Sequence, residues 1–235
     1  MSGDWDAVEA ENKYLRLPRG LVVIDDFLTP EALEGIVQFC RESTVWFEAR
    51  CGGRCLRASF QDGFNCPLLL QVAEELRAVL PVVIGGGRPL RELSGFKAIG
   101  DLSADSTIHS DFGSVNVNFC VAPAGNGRHA PGAMVVRNVD APARWDFWTP
   151  HGRGGECRVD RESGTIEIAD QQNRAIIFDA GLFHGVTAAH AGSGFESDRI
   201  EVEILYGHEE QPDSDRMAEY IRGAWRSFSL SRRGR

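Results

Sequence analysis

The chain has 235 residues and a hydrophobic content of 43%, which suffices for one core of ordinary size and favours a single domain. Acidic residues outnumber basic ones by 34 to 25, and the formal charge of −9 argues against a nucleic-acid partner. The sequence has no apolar stretch long enough to cross a membrane and begins with a segment too polar for a signal peptide, so we expect a cytoplasmic protein.

Six cysteines are spread along the chain, and a disulfide framework is not expected in a chain of this size without secretory features. Cys51 and Cys55, with Cys66 further on, resemble part of a zinc site. No matching second pair follows them, so we expect reduced cysteines and no structural zinc.

The first part of the chain, residues 1–92, is predicted to contain one strand and supporting helices. The strand covers the β-rich run at residues 21–24. A helix is predicted to start at Thr29, because Pro30 would then occupy the first helical position. A second helix is predicted from Pro67, with one apolar face formed by Leu69, Val72, Ala73, Leu76 and Leu80.

Residues 93–206 show a different pattern, in which short β-rich runs are broken by turn residues. Strands without helix-length segments between them favour antiparallel pairing in a mainly β fold, either a barrel or a double-sheet jelly roll. The last part, residues 207–235, is predicted to hold a helix at 217–225 and a basic tail. The predicted strands are 95–99, 106–109, 114–121, 133–136, 164–168, 175–178, 183–187 and 200–206.

A His-x-Asp motif, His109 and Asp111, closes one of these predicted strands. Residues two apart on a strand point to the same side, so the imidazole and the carboxylate can face one centre. Downstream, His184 lies at the mouth of another predicted strand, after the apolar run 175–178. Two histidines and one carboxylate on one face of a metal leave three positions open, as non-haem Fe(II) oxygenases require.

Arg199 opens the predicted strand 200–206, and strand alternation puts it on one face with Glu201 and Glu203. A guanidinium suits a bidentate pair with the distal carboxylate of a co-substrate. The two glutamates would crowd a purely anionic ligand on that face, so a bulge or twist is expected to turn Arg199 inward. Asn118 is unfavourable within a strand, and we expect it to make a polar contact to substrate or co-substrate.

These residues together resemble the double-stranded β-helix oxygenases that depend on Fe(II) and 2-oxoglutarate, in particular the prolyl-hydroxylase-like group. The resemblance covers residues 96–206, about half of the chain. Its ordered set of motifs is more specific than a His-x-Asp pair alone. The motifs are His109-x-Asp111, the strand 115–119 leading to Pro123, the turn Gly132-Ala133, the run Phe183-His184-Gly185-Val186, and Arg199.

The resemblance implies a cupin-like jelly roll with His109, Asp111 and His184 as the iron ligands. It also implies that Arg199 binds the C5 carboxylate of 2-oxoglutarate. Many members carry Tyr on the strand before His-x-Asp, where this chain has Lys97, which is expected either to assist the carboxylate or to face solvent.

A second departure concerns the distal histidine, because His184 and Arg199 lie 15 positions apart, further than is usual in the family. His190 fits the usual spacing better and is the alternative ligand. We favour His184, since it follows a buried β run, whereas His190 lies in a turn-like sequence.

Two glycine-rich loops, 124–132 and 149–155, are expected to cover the open mouth of the barrel. Polar and aromatic residues in or beside these loops are candidate substrate contacts. They are His129, Arg144, Trp148 and His151.

The sequence thus predicts an Fe(II)- and 2-oxoglutarate-dependent oxygenase that uses O2 to hydroxylate a small molecule, an amino acid or a peptide side chain. Succinate and CO2 would be the co-products. One alternative is a cupin-type metal enzyme that does not use 2-oxoglutarate, in which Arg199 would be structural. Another is a non-catalytic jelly-roll domain that binds sugar or peptide through the aromatic cluster at 145–148.

Overall fold

The computed structural model describes residues 1–16, 20–100, 102, 108–122, 133–140, 165–186 and 198–207. Its helices are α1 (Ala7–Arg16), α2 (Pro30–Glu42) and α3 (Pro67–Val79). Its strands are β1 (Leu21–Ile24), β2 (Glu48–Arg50), β3 (Cys55–Ser59), β4 (Leu90–Ala98), β5 (Val115–Ala122), β6 (Ala133–Asp140), β7 (Thr165–Ala169), β8 (Ala175–Asp179), β9 (Leu182–Val186) and β10 (Ile200–Tyr206).

The two helices predicted within residues 1–92 begin where their sequences indicate. The Thr29 hydroxyl accepts a hydrogen bond from the Ala32 amide at 3.2 Å, and Pro30 follows as the first residue of α2. Pro67 likewise opens α3. The buried faces of α2 and α3 pack in one apolar cluster with the outer face of the sheet, which includes Val117, Phe119, Val202 and Ile204.

The strands form two antiparallel sheets. The larger has seven strands in the order β1-β8-β5-β10-β4-β3-β2, and the smaller has three in the order β7-β6-β9. Ile176 and Phe178 on the inner face of the larger sheet pack against Met134, Val136 and Ile168 of the smaller one. The interior between the sheets is therefore apolar at β8 and, as described below, polar at β5 and β10.

Of the α-helices and strands in the described residues, three were not predicted: α1, β2 and β3. The sequence of α1 is mostly polar and buries only Ala10, while β2 is three residues long with both ends charged. β4 also begins at Leu90, before its predicted start at 95. Since β1, β2 and β3 all join the larger sheet, residues 1–92 contribute strands to the sheet as well as the helices that support it.

The strand β10 has the predicted bounds and the predicted alternation. Val202 and Ile204 face the helices, whereas Glu201 and Glu203 face the interior. Of the predicted strand at 106–109 the structure describes residues 108 and 109, and the predicted helix at 217–225 lies outside the described residues. No helix in the described ranges is long and apolar enough to span a membrane.

Candidate metal centre

His109 and His184 are held together by the backbone. The two residues form an isolated antiparallel bridge in which each amide donates to the other's carbonyl at 2.9 Å. The Asp111 amide donates to the Ala180 carbonyl at 2.9 Å. The His-x-Asp segment is thus attached to the turn between β8 and β9 and to β9 itself, so that the side chains of both segments meet.

The imidazoles of these two histidines bracket the Asp111 carboxylate. Nε2 of His109 lies 3.5 Å from Oδ1 of Asp111, and Nε2 of His184 lies 3.2 Å from Oδ2. One ligand atom from each residue falls within 4.8 Å of the others. Ligand bonds of about 2.1 Å at right angles place neighbouring donors roughly 3 Å apart, so the cluster fits one metal ion. It is the only such group among the described residues.

The orientation of the His184 ring is fixed by contacts on the side away from Asp111. Its Nδ1 lies 3.0 Å from the Leu182 carbonyl, so Nδ1 carries a proton and Nε2 faces Asp111. The ring packs edge-on against Phe178 with centroids 4.7 Å apart, and the His109 ring lies 4.4 Å away on another side. With only 3% of the residue exposed, this imidazole is the buried member of the cluster.

Asn116 of β5 holds the carboxylate. Its side-chain amide donates to Oδ2 of Asp111 at 2.6 Å, the same oxygen that faces His184. The Asn116 amide is fully buried, and its Oδ1 has no hydrogen-bond partner within the described part of the chain. Asn116 also donates to Glu203 on the neighbouring strand β10. It therefore links the metal cluster to the row of acidic side chains on β10.

Charge interactions dominate the protonation of the cluster. Burial alone would raise the pKa of Asp111, but His184, His109 and the Asn116 amide hold that pKa well below its usual range. Burial would lower the pKa of His184, but the Asp111 carboxylate raises it to about 9. Without metal, an imidazolium at His184 and a carboxylate at Asp111 therefore keep the ligand atoms together.

Metal binding is expected to release a proton from His184. Because the pKa of His184 is raised from 6.5 to about 9, the metal-free protein carries this proton at neutral pH, and a metal ligand must lose it. We expect about one proton released per Mn(II) at pH 7.5, and an affinity that rises about tenfold per pH unit until it levels off near pH 9. Calorimetry in buffers of different ionisation enthalpy measures the number of protons released, and repeating it at several pH values measures the change in affinity. Binding without proton release at pH 7.5 would contradict the assignment of His184.

The interior face of β10 carries Glu203 and Glu201, and Arg199 immediately precedes the strand. Leu205 pairs with Asn116, Glu203 with Asn118, and Glu201 with Cys120. Since Asn116 contacts the metal cluster, the order along the strand away from that cluster is Glu203, then Glu201, then Arg199. Burial and the nearby Asp111 raise the pKa of Glu203 to about 8.

Arg199 is already paired with two carboxylates. Its Nη2 donates to Oδ1 of Asp170 at 2.9 Å, its Nε donates to the other Asp170 oxygen, and Nη2 also contacts Glu201. The side chains are 3%, 4% and 7% exposed for Arg199, Asp170 and Glu201, so the three charges are buried together. The sequence did not point to Asp170, which lies just after β7 and 29 positions away from its partner.

Asn118 and Lys97 lie on opposite faces of the larger sheet. Asn118 is buried on the interior face, paired with Glu203 and Ile176. Lys97 pairs with Ile200, which faces the helices, and its ammonium lies 3.3 Å from Asp198. Directly opposed residues in an antiparallel pair share a face. Lys97 therefore faces the helices and is not among the residues that we place at a co-substrate site.

The remaining candidates cannot be placed. His129, Arg144, Trp148, His151 and the rival ligand His190 lie outside the described residues, as do both glycine-rich loops. The five described cysteines, Cys40, Cys51, Cys55, Cys66 and Cys120, are free. This agrees with the expectation of reduced thiols in that part of the chain.

Comparisons of sequence alone find nothing: no family profile and no curated protein matches the chain. Comparison of structures finds the non-heme alpha ketoglutarate dependent epimerase SnoN from nogalamycin biosynthesis. Its TM-score is 0.57 at 13% identity, over 86% of this chain and 83% of SnoN. HygX from Streptomyces hygroscopicus, solved with nickel and 2-oxoglutarate bound, gives 0.54 at 14% identity, over 84% and 86%.

A Pseudomonas putida prolyl-4-hydroxylase also matches, with a TM-score of 0.51 at 10% identity over 86% of this chain and 99% of that one. This chain has the fold of these enzymes. The predicted mainly β fold with supporting helices, a double-stranded β-helix, is thereby confirmed. Sequence identities this low support a conclusion about the fold alone. The roles of the individual residues are therefore proposed from the site itself.

Proposed function

We propose that this protein is an Fe(II)-dependent oxygenase that uses 2-oxoglutarate as co-substrate and oxidises a small molecule, an amino acid or a peptide side chain. The observation that carries the proposal is the meeting of His109, Asp111 and His184 within 4.8 Å inside a double-stranded β-helix. Bound Fe(II) would supply the O2 chemistry, and succinate and CO2 would be released with the oxidised product.

Each residue of the site has a distinct role in this proposal. His109, Asp111 and His184 would hold the metal, which would supply open positions for the 2-oxo acid and O2. Asn116 keeps the Asp111 carboxylate turned toward both imidazoles through its 2.6 Å hydrogen bond. Arg199 is the proposed partner of the distal carboxylate of 2-oxoglutarate, because it is a buried cation next to the interior face of β10.

The substrate is proposed to approach at the metal end of the barrel. His129, Arg144, Trp148 and His151 are the proposed contacts, and this part of the proposal rests on the sequence. SnoN has been solved with nogalamycin RO and HygX with hygromycin B. A small organic substrate is therefore the first class to screen, followed by amino acids and peptides.

A metal-dependent enzyme that does not use 2-oxoglutarate is the second candidate. One observation favours it: Arg199 is already engaged by Asp170 and Glu201, so its charge is compensated without a co-substrate. In that case Arg199 would have a structural role. The two candidates share the metal cluster and differ only in the anion that the barrel accepts.

Release of succinate separates these candidates. Protein loaded with Fe(II) is expected to convert 2-oxoglutarate to succinate slowly on its own, and faster with an accepted substrate from the screen. The Asp111→Ala variant is the control, because it loses one of the three ligands. If the wild type binds metal but neither binds 2-oxoglutarate nor forms succinate across the screen, the second candidate replaces the first.

A further inference from the structure

We infer that Glu201 occupies the place on the Arg199 guanidinium that the distal carboxylate of 2-oxoglutarate needs, and that Glu201 limits the preference for dicarboxylic 2-oxo acids. The inference rests on the proposed function and adds a specificity-determining residue to it. On this view the site carries an internal carboxylate that an incoming one must displace.

The contacts of Arg199 assign different roles to its two acidic partners. Asp170 engages both Nε and Nη2, which is the bidentate arrangement that fixes a guanidinium plane. Glu201 touches only Nη2, an atom that Asp170 also uses. Asp170 therefore holds Arg199 in position, while Glu201 takes the second N–H of Nη2, which the bond to Asp170 leaves free.

The position of Glu201 makes it the competitor. Along β10 it lies between Arg199 and Glu203, and Glu203 is linked through Asn116 to Asp111. A 2-oxo acid that binds the metal and reaches for Arg199 must run along this same interior face. Asp170, in contrast, comes from the segment after β7 in the opposite sheet.

Repulsion between carboxylates opposes the binding of a dicarboxylate beside Arg199. One guanidinium would face three carboxylates if a dicarboxylate entered while Glu201 stayed ionised, and like charges at a shared buried site strongly disfavour this state. The titratable groups that interact with Glu201 are Arg199, Asp170, His184, Cys120 and, on β3, Cys55. Burial raises the pKa of Glu201, although Arg199 opposes that shift. Because burial already favours the neutral form, we expect Glu201 to take up a proton when it is displaced from Arg199.

The test measures how much the distal carboxylate contributes to binding affinity. Mn(II)-loaded protein is titrated without O2 with 2-oxoglutarate and with 2-oxopentanoate, which has the same chelating end but no distal carboxylate. The ratio of the two Kd values reports the contribution of that carboxylate. We expect Glu201→Gln to raise this preference for 2-oxoglutarate by about tenfold over the wild type, because a competing charge is removed.

Glu203→Gln is the matched control, because it makes the same substitution two positions further along the same strand face, away from the Arg199 end of β10. The preference should change by less than about threefold in this variant, which is below 1 kcal/mol. An unchanged or lower preference in Glu201→Gln would overturn the inference, since Glu201 would then help to orient Arg199. Failure of every variant to bind 2-oxoglutarate, with normal Mn(II) binding, would instead overturn the proposed co-substrate, and the inference with it.

A second measurement uses the wild type alone, so it tests the inference even if the Glu201→Gln protein does not fold. In the wild type, binding of 2-oxoglutarate should take up more protons than binding of 2-oxopentanoate, by up to about one proton per site, because Glu201 is neutralised as it is displaced. The shared 2-oxo acid end cancels any proton change at the metal. Equal proton uptake for both acids at pH 7.5 would contradict displacement of an ionised Glu201.

Discussion

Replacing His184 by alanine is expected to abolish metal binding at neutral pH and, with it, turnover. The variant keeps two of three ligands and loses the donor that is most rigidly placed, since Nδ1 is fixed by the Leu182 carbonyl and the ring by Phe178. We expect the affinity for Mn(II) to fall by more than about a hundredfold, because even residues that only orient ligands cost tenfold to a hundredfold. Calorimetry on the purified variant measures this fall.

Two control variants separate the loss of a metal ligand from weaker or unrelated effects. Asn116→Ala should weaken Mn(II) binding by about tenfold to a hundredfold, less than the loss of a ligand, because it removes the 2.6 Å bond that orients Asp111 and leaves all three ligands in place. His190→Ala should leave metal binding at the wild-type level. If His184→Ala retained Mn(II) and His190→Ala lost it, the distal ligand would be His190.

The meeting of His109, Asp111 and His184 could be predicted from the sequence because these residues belong to short, ordered motifs. His109 and Asp111 are two positions apart, and His184 follows a run of four buried residues, Ala175 to Phe178. The cross-strand partners of these residues could not be predicted from the sequence. The unpaired Oδ1 of Asn116 and the bond from Asn116 to Asp111 depend on how β5 lies beside the His-x-Asp segment, and nothing in the local pattern encodes that placement.

The same contrast holds for the fold. β10 was predicted with its observed bounds because its alternation is complete, with buried aliphatic residues facing the helices and acidic ones facing the interior. α1 and β3 were missed, since the first buries a single alanine and the second is a short strand of mixed composition, Cys-Leu-Arg-Ala-Ser. Both are stabilised by neighbours that are distant in sequence, as the pairing of β3 with β4 illustrates.

The alternation of β10 also predicted that Glu201 and Glu203 share a face with Arg199 and would crowd an anionic ligand there. The pairing of β10 with β5 shifts register between Ile200 and Glu201, but the extra residue lies on β5, and the pairing of β10 with β4 is continuous at these positions. Even so, Glu201 remains within reach of the guanidinium. The second partner, Asp170, could not be anticipated, because it comes from the other sheet and meets Arg199 only when the two sheets pack together.

Replacing Arg199 by alanine is expected to have the largest effect on stability among single changes in the barrel interior. The change leaves Asp170 and Glu201 buried without their cation, and breaking a buried ion pair by removing one partner typically costs about 3–5 kcal/mol. The variant should also lose at least about tenfold in affinity for 2-oxoglutarate, since a buried charged hydrogen bond contributes roughly 1.5–3 kcal/mol. Arg199→Lys should recover only part of either loss, because an ammonium cannot reproduce the planar bidentate contact.

Urea denaturation of the metal-free protein separates the stability effect from the binding effect. If the cost comes from stranded carboxylates, the triple variant Arg199→Ala, Asp170→Asn, Glu201→Gln should be more stable than Arg199→Ala alone, because both unpaired charges are gone. Binding of 2-oxoglutarate should stay weak in the triple variant, since the cation is still missing. Stability equal to the wild type in Arg199→Ala would show that the two carboxylates do not depend on the guanidinium. An unchanged affinity for 2-oxoglutarate would remove Arg199 from the co-substrate site.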